Sequence, residues 1–254
     1  MKRPRHILIT GASSGIGRAL AESYASPDAL LALCGRNDVR LKEVGAICRN
    51  LGAKVVTKAI DVLDRDALAE WITECDRNTP LDLVIANAGI SAGTGTCAAE
   101  QETQVRQVFD INITGVINTI HPIINPMRAR KCGQIAIVSS IAAFRGTPSA
   151  PAYCASKAAV KVYGEGLRGQ LRHEGIEVNV ICPGFVKSRI TDTNTFPMPF
   201  LMEASLAAKI IKRGLASNKG RIVFPWPMHF LVWILTVIPS SWSDRLLSRL
   251  PKKN

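Results

Sequence analysis

The chain has 254 residues, of which 47% are hydrophobic, 20% charged and 6% aromatic. This composition can bury a core and excludes a disordered chain, and the 19 Gly and 14 Pro show no collagen-like period. With 32 Lys and Arg against 20 Asp and Glu, the net charge of +12 favours an anionic partner such as phosphate, a lipid headgroup or nucleic acid.

Short apolar segments alternate along the chain with longer segments of helical period. The predicted strands are His6–Thr10, Leu30–Cys34, Lys54–Lys58, Leu81–Ile85, Gln134–Val138, Glu177–Ile181 and Arg221–Phe224. The predicted helices include Gly15–Ala25, Asp64–Asn78, Glu102–Arg130, Ala152–Arg172 and Glu203–Leu215. This alternation predicts a single doubly wound α/β domain, with helices on both faces of a seven-stranded, mainly parallel sheet. Residues 185–200 are predicted to form a loop.

The first strand leads directly into a glycine-rich turn, TGASSGIG, that opens a helix. Glycines allow backbone N–H groups to approach a pyrophosphate, and the helix N-terminus adds partial positive charge. The turn residues expected to contact a dinucleotide are Gly11, Ser13, Ser14, Gly15, Ile16 and Gly17. The alternative is a tight strand-to-helix turn without a ligand.

The tip of the second strand indicates which dinucleotide would bind. In dinucleotide-binding folds an acid there bonds the ribose 2′-hydroxyl, whereas an Arg pairs with a 2′-phosphate. This chain has Arg36 and no acid at the tip, which favours NADP(H) over NAD(H). The alternative is a solvated Arg36, with part of its charge neutralised by Asp38.

Three residues indicate proton-transfer chemistry. Tyr153 and Lys157 share one face at the start of a predicted helix. A cation lowers the pKa of a nearby phenol, which then exchanges protons with an alcohol or carbonyl. Ser140, at the carboxyl end of a strand, would bond the substrate oxygen. The alternatives are a surface helix for the pair and a helix or turn cap for the serine.

These motifs together resemble the short-chain dehydrogenase/reductase family. The similarity covers about residues 6–190, in which the glycine-rich turn, Asn87-Ala88-Gly89, Asn112, Ser140, Tyr153, Lys157 and Pro183-Gly184 have the family's order and spacing. It implies a Rossmann fold with a cofactor-binding and catalytic core over residues 1–185. Residues 186–254 would then supply the substrate loop, the last strand and an apolar, basic tail. The implied reaction is reversible hydride transfer between NADP(H) and a carbonyl or secondary alcohol, without a metal.

The resemblance also implies a role for each residue. Tyr153 would be the acid/base and Ser140 would orient the reacting oxygen. Lys157 would lower the Tyr pKa and bind the nicotinamide ribose, and Asn112 would position a water in a proton relay. The remaining implied cofactor contacts are Asp61 and Val62 at the adenine, Asn87, Ala88 and Gly89 beside its ribose, and Pro183, Gly184, Val186 and Ser188 around the nicotinamide and pyrophosphate.

The last quarter of the chain departs from this pattern. From Lys187 to Asn254 there are 11 Lys and Arg against three acids, and Met228–Ile238 is apolar but shorter than the about 20 residues that span a membrane. A short helix is predicted after Ser240-Ser241, with Trp242, Leu246, Leu247 and Leu250 on one face and Arg245 and Arg249 toward the other. Peripheral docking on an anionic membrane and burial in the substrate pocket or a subunit interface are equal alternatives.

Cysteine and histidine usage bear on location and metals. The seven cysteines are scattered without a C-x-x-C pair, which indicates buried, reduced thiols in a cytoplasmic protein, and the N-terminal apolar run is too short for a signal peptide. Four dispersed His form no metal-ligand pattern.

The sequence therefore predicts an NADP(H)-dependent oxidoreductase acting on the CH–OH group of a lipophilic substrate, assembled as a homodimer or homotetramer. No nucleic-acid partner is expected, because no aromatic-interleaved basic stripe is present. The alternative from another class is a catalytically idle nucleotide-sensing or scaffold protein with the same fold.

Overall fold

The computed structural model of the protein describes residues 3–94, 99–192, 197–239, 242–243 and 247. Its seven described strands are β1 (His6–Thr10), β2 (Leu30–Gly35), β3 (Lys54–Ala59), β4 (Leu83–Ala86), β5 (Gly133–Val138), β6 (Ile176–Pro183) and β7 (Arg221–Phe224). They form one sheet in the order β3-β2-β1-β4-β5-β6-β7, and every pair is parallel. Strands β2 and β3 are added on one side of β1 and the last four strands on the other side, so the order of the strands reverses between β1 and β4.

Helices connect the strands in the part of the chain that the structure describes. They are α1 (Gly15–Tyr24), α2 (Asp38–Asn50), α3 (Arg65–Asn78), α4 (Glu102–Phe109), α5 (Gly115–Ala129), α6 (Pro151–Leu171), α7 (Arg189–Asp192), α8 (Ala204–Ala216) and α9 (Trp226–Val237). A π-helical turn (Asp110–Thr114) joins α4 to α5, and 3₁₀ turns occupy Ile141–Ala143 and Arg172–Glu174. The result is the predicted doubly wound, single Rossmann-like domain.

Two hydrophobic clusters lie on opposite faces of the sheet. One cluster includes Leu20 of α1 and Ile211 of α8, and the other includes Ile72 of α3 and Ile120 of α5. Every residue of β1, β4 and β5 is buried, which explains why these strands have no polar alternation. β3, at the sheet edge, is largely exposed.

The start of β4 differs from the prediction, which began this strand at Leu81. The Leu81 N–H donates to Asp76 Oδ1 (2.8 Å), and its carbonyl accepts from Arg130 (2.7 Å). Asp82 Oδ2 accepts from the backbone N–H of His6 (3.1 Å). Because Leu81 bonds to side chains of α3 and of the turn after α5, the β4 ladder begins only at Leu83.

Two other predicted segments are interrupted. The helix predicted over Glu102–Arg130 is divided by the π turn at Asp110–Thr114. The predicted loop 185–200 contains the short helix α7, and Val186 forms an isolated bridge with Met202. The Ser188 N–H donates to Thr191 Oγ1 (2.8 Å), which fixes the start of α7.

The apolar segment after β7 forms a helix rather than being broken by its prolines. Pro225 is the N-cap of α9 and Pro227 lies in its first turn, where the missing N–H costs no helical hydrogen bond. Among the residues described, no helix is long and apolar enough to cross a membrane. Of the last predicted helix only Trp242, Ser243 and Leu247 are described, and Trp242 is exposed while Leu247 is buried. The other residues predicted for it, Leu246, Leu250, Arg245 and Arg249, lie outside the described part.

Six of the seven cysteines are described, and none of these forms a disulfide. The prediction of burial is correct for Cys34, Cys48, Cys75, Cys154 and Cys182 and wrong for Cys132. Cys132 is exposed because it lies in the turn between α5 and β5. Cys97 lies outside the described residues.

Candidate active site

A cavity of about 750 Å³ lies at the carboxyl ends of β1, β4, β5 and β6. This is the edge of a doubly wound sheet where ligands bind, next to the reversal between β1 and β4. Two predicted site residues, Gly17 and Asn112, do not line it and lie behind its wall. The predicted residues that do line it are Gly11, Ser13, Ser14, Gly15, Ile16, Arg36, Asp61, Val62, Asn87, Ala88, Gly89, Ser140, Tyr153, Lys157, Pro183, Gly184, Val186 and Ser188.

The glycines of the glycine-rich turn lie where there is no room for a side chain. Gly11 has a φ of +66°, and a Cβ there would lie 2.8 Å from Ala88 Cα. Gly15 has a φ of +54°, and a Cβ there would lie 2.9 Å from Ser188 Cβ. Gly17 packs in the same way against the Gly11 carbonyl, which explains its place behind the cavity.

The N-terminus of α1 faces this cavity. Ser14 is its N-cap residue, but its side chain makes no capping hydrogen bond. N–H groups of the first helical turn therefore remain available to an anion, and the helix dipole adds partial positive charge. The cradle fits a pyrophosphate because the neighbouring glycines permit close backbone approach.

Asn87 connects the end of β4 to the glycine-rich turn. Its Nδ2 donates to the carbonyls of Thr10 (2.9 Å) and Gly11 (3.2 Å). In return, the N–H groups of Asn87 and Ala88 donate to Thr10 Oγ1 (3.2 and 3.3 Å). These bonds hold the tips of β1 and β4 together at the point where the sheet reverses.

Arg36 lies at the tip of β2 with a side chain that is 58% exposed. Its Nη1 atom is 3.9 Å from Asp61 Oδ2. Asp38, which the alternative interpretation paired with Arg36, pairs with Lys42 instead (2.7 Å). Asp38 opens α2, so its (i, i+4) neighbour on that helix lies nearer than the strand tip. Arg40 also lines this end of the cavity, and Asn37 Oδ1 caps its N–H at 2.9 Å.

Val62 and Asp61 occupy the loop after β3. Asp61 Oδ1 accepts from the N–H of Leu63 (3.0 Å), which closes a tight turn. Asn118, buried in α5, donates through Nδ2 to the carbonyl of Val62 (2.9 Å). A Cβ on Gly115 would lie 2.6 Å from Val62 Cγ2, so glycine allows α5 to approach this loop.

Tyr153 and Lys157 lie in the first two turns of α6, facing Ser140 across the cavity. Pro151 starts the helix, and the N–H of Ala152 donates to Glu100 Oε2 (3.0 Å). The Tyr153 side chain is hydrogen-bonded to that of Ser140. Ser140 Oγ also accepts from the Ala142 N–H (3.1 Å), so the hydroxyl both caps a turn and faces the phenol.

Lys157 is fixed beneath the cavity. Its side chain is only 4% exposed, and Nζ donates to the Val138 carbonyl (3.1 Å). Nζ is 5.9 Å from the centre of the Tyr153 ring. The Ser139 hydroxyl donates to the Lys157 carbonyl (2.7 Å), which ties this turn of α6 to the end of β5.

Burial dominates the electrostatics of the pair. Desolvation raises the pKa of Tyr153 above its ordinary value, and the hydrogen bond to Ser140 acts in the opposite direction. Desolvation also lowers the pKa of Lys157 to about 8. Burial thus acts on the phenol against the lowering that the resemblance implies for Lys157, and that role of Lys157 stays a prediction.

Asn112 occupies the π turn between α4 and α5. Its Oδ1 accepts from the Ile90 N–H (2.9 Å), while Nδ2 donates to the Ile90 carbonyl (3.0 Å) and to Ser156 Oγ (3.0 Å). Ser156 Oγ in turn donates to the Tyr153 carbonyl (2.8 Å). π turns are frequently found at functional sites, and here the turn brings a buried amide against the loop after β4 and the start of α6.

The other end of the cavity has an apolar wall. Pro183 and Gly184 end β6, and a Cβ on Gly184 would lie 2.9 Å from Pro225 Cδ. The apolar residues that line the cavity there, and that the sequence did not single out as site residues, are Ile141, Phe185, Met228, Val232, Leu235 and Leu247.

Sequence reasoning also missed Arg40, Ser156 and Asn118. The position of Arg40, four residues after Arg36 and in the first turn of the helix that follows the strand tip, was a usable indication, and both residues line the same end of the cavity. The sequence offers no such indication for the Ser156 hydroxyl or the Asn118 amide, because their partners lie 44 and 56 residues away along the chain. In the described residues, no group of three or more His, Cys, Asp or Glu is placed to hold a metal.

Comparisons with known proteins agree with this geometry. The model of the short chain dehydrogenase family matches residues 5–197. The chain is 38% identical over 247 residues to an uncharacterized oxidoreductase of Myxococcus xanthus, and the alignment covers 97% of each.

Two solved structures have the same fold and carry different cofactors. A short-chain dehydrogenase from Sphingobium yanoikuyae in complex with NADPH has a TM-score of 0.81 and 23% identity, with 98% of each chain covered. A 3-oxoacyl-[acyl-carrier protein] reductase from Brucella melitensis with bound NAD has a TM-score of 0.74 and 29% identity, covering 86% of this chain and 88% of that one.

Proposed function

The chain belongs to the short-chain dehydrogenase family of oxidoreductases, and we propose that it transfers hydride between NADP(H) and a carbonyl or secondary alcohol of a lipophilic substrate. The observation that carries this proposal is the hydrogen-bonded pair of Ser140 and Tyr153, with Lys157 buried beside it. The pair lines the same cavity as the glycine-rich turn.

The proton chemistry follows from the state of each group. A phenol with a raised pKa stays protonated near neutral pH, so Tyr153 is ready to donate its proton to the oxygen of a carbonyl being reduced. In the reverse direction the phenol would first have to lose its proton, and the phenolate would then accept the alcohol proton. Ser140 would hold the same oxygen by a hydrogen bond. A bound nicotinamide supplies or accepts the hydride.

Lys157 and Asn112 support these two groups. Lys157 has three N–H donors, of which the Val138 carbonyl takes one, and the others are proposed to bond the nicotinamide ribose. Both N–H groups of the Asn112 amide are used by Ile90 and Ser156, so we assign Asn112 a positioning role. A relay water at this residue would bond to its Oδ1 or to the backbone.

The preference for NADP(H) is supported by the charges at the adenosine end. Arg36 and Arg40 both line the cavity there, and two guanidinium groups suit a 2′-phosphate. Asp61, 3.9 Å from Arg36, suits a free ribose hydroxyl instead. Because a reductase of the same fold has NAD bound, the test of this preference compares the KM for NADPH with that for NADH.

The lipophilic substrate is inferred from the wall opposite the cofactor cradle. Ile141, Met228, Val232 and Leu235 face the cavity on this side. An apolar wall contributes roughly 25 cal/mol for each Å² of apolar ligand surface that it buries, so it favours a long or polycyclic carbonyl over a small polar one. Keto-lipids, retinoids and steroids have the required chemistry.

The alternative is an idle nucleotide-binding protein. The burial of Lys157 favours the enzyme, since a 4% exposed ammonium costs stability and a scaffold gains nothing from it. The test follows NADPH absorbance with lipophilic ketones and aldehydes, using Tyr153→Phe and, as matched control on the same helix, Tyr163→Phe. Tyr163 bonds His121 (2.8 Å) away from the cavity.

We expect Tyr153→Phe to lower kcat by about 100-fold or more, and Tyr163→Phe to leave it within about twofold. Equal turnover by wild type and Tyr153→Phe would refute the mechanism. Tight NADPH binding without turnover of any carbonyl would favour the idle protein.

Assembly as a homodimer or homotetramer in the cytoplasm completes the proposal, as the family resemblance implies. Light scattering of the purified chain tests the assembly. A monomeric mass at working concentrations would remove that part and leave the proposed chemistry intact, because every residue assigned to it lies on one chain.

A further inference from the structure

Helix α9 has two opposite apolar faces. Met228, Val232 and Leu235 follow the spacing i, i+4, i+7 and line the cavity. On the other side, the large apolar residues that follow the spacing i, i+4, i+7, i+11 are Trp226, Phe230, Trp233 and Val237, which are 75%, 51%, 50% and 60% exposed. We call these four residues the outer face of α9. One helix therefore separates the substrate cavity from an exposed apolar surface.

The outer face is unusual for a helix in water. α9 contains no charged residue, and none of its residues is buried. A helix that is apolar all round is normally found inside a protein core or against a membrane. Two of the outer rings, Phe230 and Trp233, lie nearly parallel with centroids 6.1 Å apart, so they form a continuous patch. Trp242, 67% exposed, adds another aromatic ring to the end of the chain that follows.

α9 is held firmly to the domain. The His229 ring packs against Phe144, with ring centroids 5.3 Å apart. A Cβ on Gly184 would lie 3.1 Å from Met228 Sδ, so the helix sits directly on the end of β6. The outer face is thus presented to the surroundings by a fixed helix.

The length of α9 decides how it would meet a bilayer. Twelve residues span about 18 Å, well short of the about 30 Å of a hydrocarbon core. The helix would therefore lie along the surface of the membrane. Tryptophan is the residue enriched at that depth, where a ring contacts both acyl chains and headgroups.

The positive charge of the protein favours an anionic lipid surface over a second copy of this chain as the partner of the outer face. The protein carries +12 overall, and from Lys187 onward the sequence has 11 Lys and Arg against three acids. Two such surfaces would repel each other across a dimer interface, whereas an anionic leaflet would attract each one.

The last segment of the chain begins close to this helix. Ser243 accepts a hydrogen bond from Arg145 (2.8 Å), and Leu247 lines the cavity. The last segment therefore starts beside α9, and four of its remaining residues, Arg245, Arg249, Lys252 and Lys253, are basic.

We propose that the outer face of α9 docks on an anionic membrane surface and that the lipophilic substrate enters the cavity from that bilayer. The second part rests on the proposed function, and the first does not. Docking through the outer face would place the cavity wall formed by Met228, Val232 and Leu235 one helix diameter from the acyl chains. A carbonyl dissolved in the lipid would then reach Tyr153 without crossing bulk water.

Docking is tested with vesicles of phosphatidylcholine and phosphatidylglycerol in equal parts, and with vesicles of phosphatidylcholine alone. The test variant is Phe230→Glu with Trp233→Glu. The matched control is Leu51→Glu with Val56→Glu, which adds the same charge at positions 51% and 48% exposed, directly after α2 and on β3, away from the cavity. We expect the wild type and the control to float with the anionic vesicles, and the test variant to lose at least about tenfold in partition coefficient.

Tryptophan emission gives a second measurement. Three of the four Trp are exposed at or after α9, and the fourth, Trp71, is 4% exposed on α3. Anionic vesicles should shift the emission to the blue, and brominated lipids should quench it. Emission that the vesicles leave unchanged, or equal flotation of wild type and test variant, would overturn the docking. A test variant that loses a dimer present in the wild type, without vesicle binding by either, would assign the outer face to a subunit interface.

Turnover separates the two proposals. With a water-soluble ketone, the test variant should match the wild type, because Phe230 and Trp233 do not line the cavity. With a ketone held in anionic vesicles, its rate should fall about tenfold. Vesicle binding without any NADPH turnover would reject the proposed function and keep the docking. Equal rates for both proteins on the vesicle-held ketone would reject entry from the bilayer.

Discussion

Gly89 lies directly beside the ammonium of Lys157. A Cβ at position 89 would be 3.1 Å from Lys157 Nζ and 3.0 Å from Asn112 Oδ1. The two groups thus approach one another across a residue that has no side chain. Asn112 is fixed by hydrogen bonds to Ile90 and Ser156, so Lys157 is the group that would move if position 89 gained a methyl group.

Gly89→Ala tests this arrangement. We expect kcat for NADPH-dependent carbonyl reduction to fall about 10- to 100-fold, because a displacement of well under 1 Å at Lys157 misaligns it with the phenol and the ribose. The measurement is steady-state kinetics together with a urea unfolding curve. The variant should remain folded, with a loss of unfolding free energy of no more than about 1–3 kcal/mol.

The control for this substitution is Gly166→Ala in α6, where nothing lies within 4 Å of an added Cβ. Alanine at that exposed helical position should be neutral or stabilise by up to about 1 kcal/mol, with unchanged kcat. If Gly89→Ala retained full activity, the tight contact at Lys157 would have no functional importance.

The pH dependence of reduction should report Lys157. Its pKa is lowered to about 8, whereas that of Tyr153 is raised, so the lysine loses its proton first as the pH rises. The proposed reduction uses the protonated phenol and the cationic lysine, and its rate should therefore be high at neutral pH and fall on passing about pH 8. The measurement is kcat/KM for the ketone against pH. A rate that stays constant to pH 10 would contradict this assignment.

Lys157→Met should separate stability from activity. A buried ammonium whose pKa is lowered binds fewer protons in the native state than in the unfolded state, so it destabilises the fold most below about pH 8. Removing it should raise the unfolding free energy at pH 7 by about 1–3 kcal/mol, reduced by the roughly 1 kcal/mol lost with the hydrogen bond to Val138. The variant should be inactive.

The sign of the pH effect is the sharper part of that experiment. As the pH rises from about 8 toward the ordinary lysine value of 10.5, the native lysine loses its proton and its cost disappears. The stability difference between the variant and the wild type should therefore shrink over this interval in urea unfolding experiments. A difference that grows with pH would show that Lys157 is stabilised as a cation.

The two arginines at the adenosine end should determine cofactor choice. Arg36→Ala with Arg40→Ala should raise the KM for NADPH about 10- to 100-fold and change that for NADH by less than about threefold, since only NADPH carries the 2′-phosphate. Arg49→Ala is the control, because Arg49 lies at the far end of α2 and bonds the Val55 carbonyl (3.1 Å). Equal changes for both cofactors would refute the proposed phosphate site.

The regular parts of the fold could be predicted because they obey local patterns. The bounds of β1 and β7 match the sequence prediction, and the buried strands read as continuous apolar runs. The start of β4 could not be located, because it depends on side-chain hydrogen bonds to Leu81, one with Asp76 in α3 and one with Arg130, which is 49 residues away along the chain. The π turn at Asn112 has no local sequence pattern, since its stability comes from the bonds to Ile90 and Ser156.

In the candidate site, too, the features set by local sequence patterns could be predicted, and those set by the folded environment could not. Motif spacing placed Tyr153, Lys157 and Ser140 together, and the structure brings them to one cavity. The direction of the Tyr153 pKa shift could not be derived from spacing, because it depends on how deeply the phenol is buried. The wall made by α9 was only one of the alternatives that the sequence left open, since an apolar run does not reveal which of its faces turns inward.

The distribution of thiols gives the chain a native attachment point for probes. Burial raises the pKa of Cys34 and Cys182 to about 12 and that of Cys48 and Cys75 to about 11, so these sulfurs stay protonated and resist alkylation at neutral pH. Among the six cysteines whose position is described, Cys132 alone is exposed, between α5 and β5. Of these six, a maleimide dye should couple first to Cys132, at the opposite end of β5 from Ser140, and a dye there would report on the protein's movements.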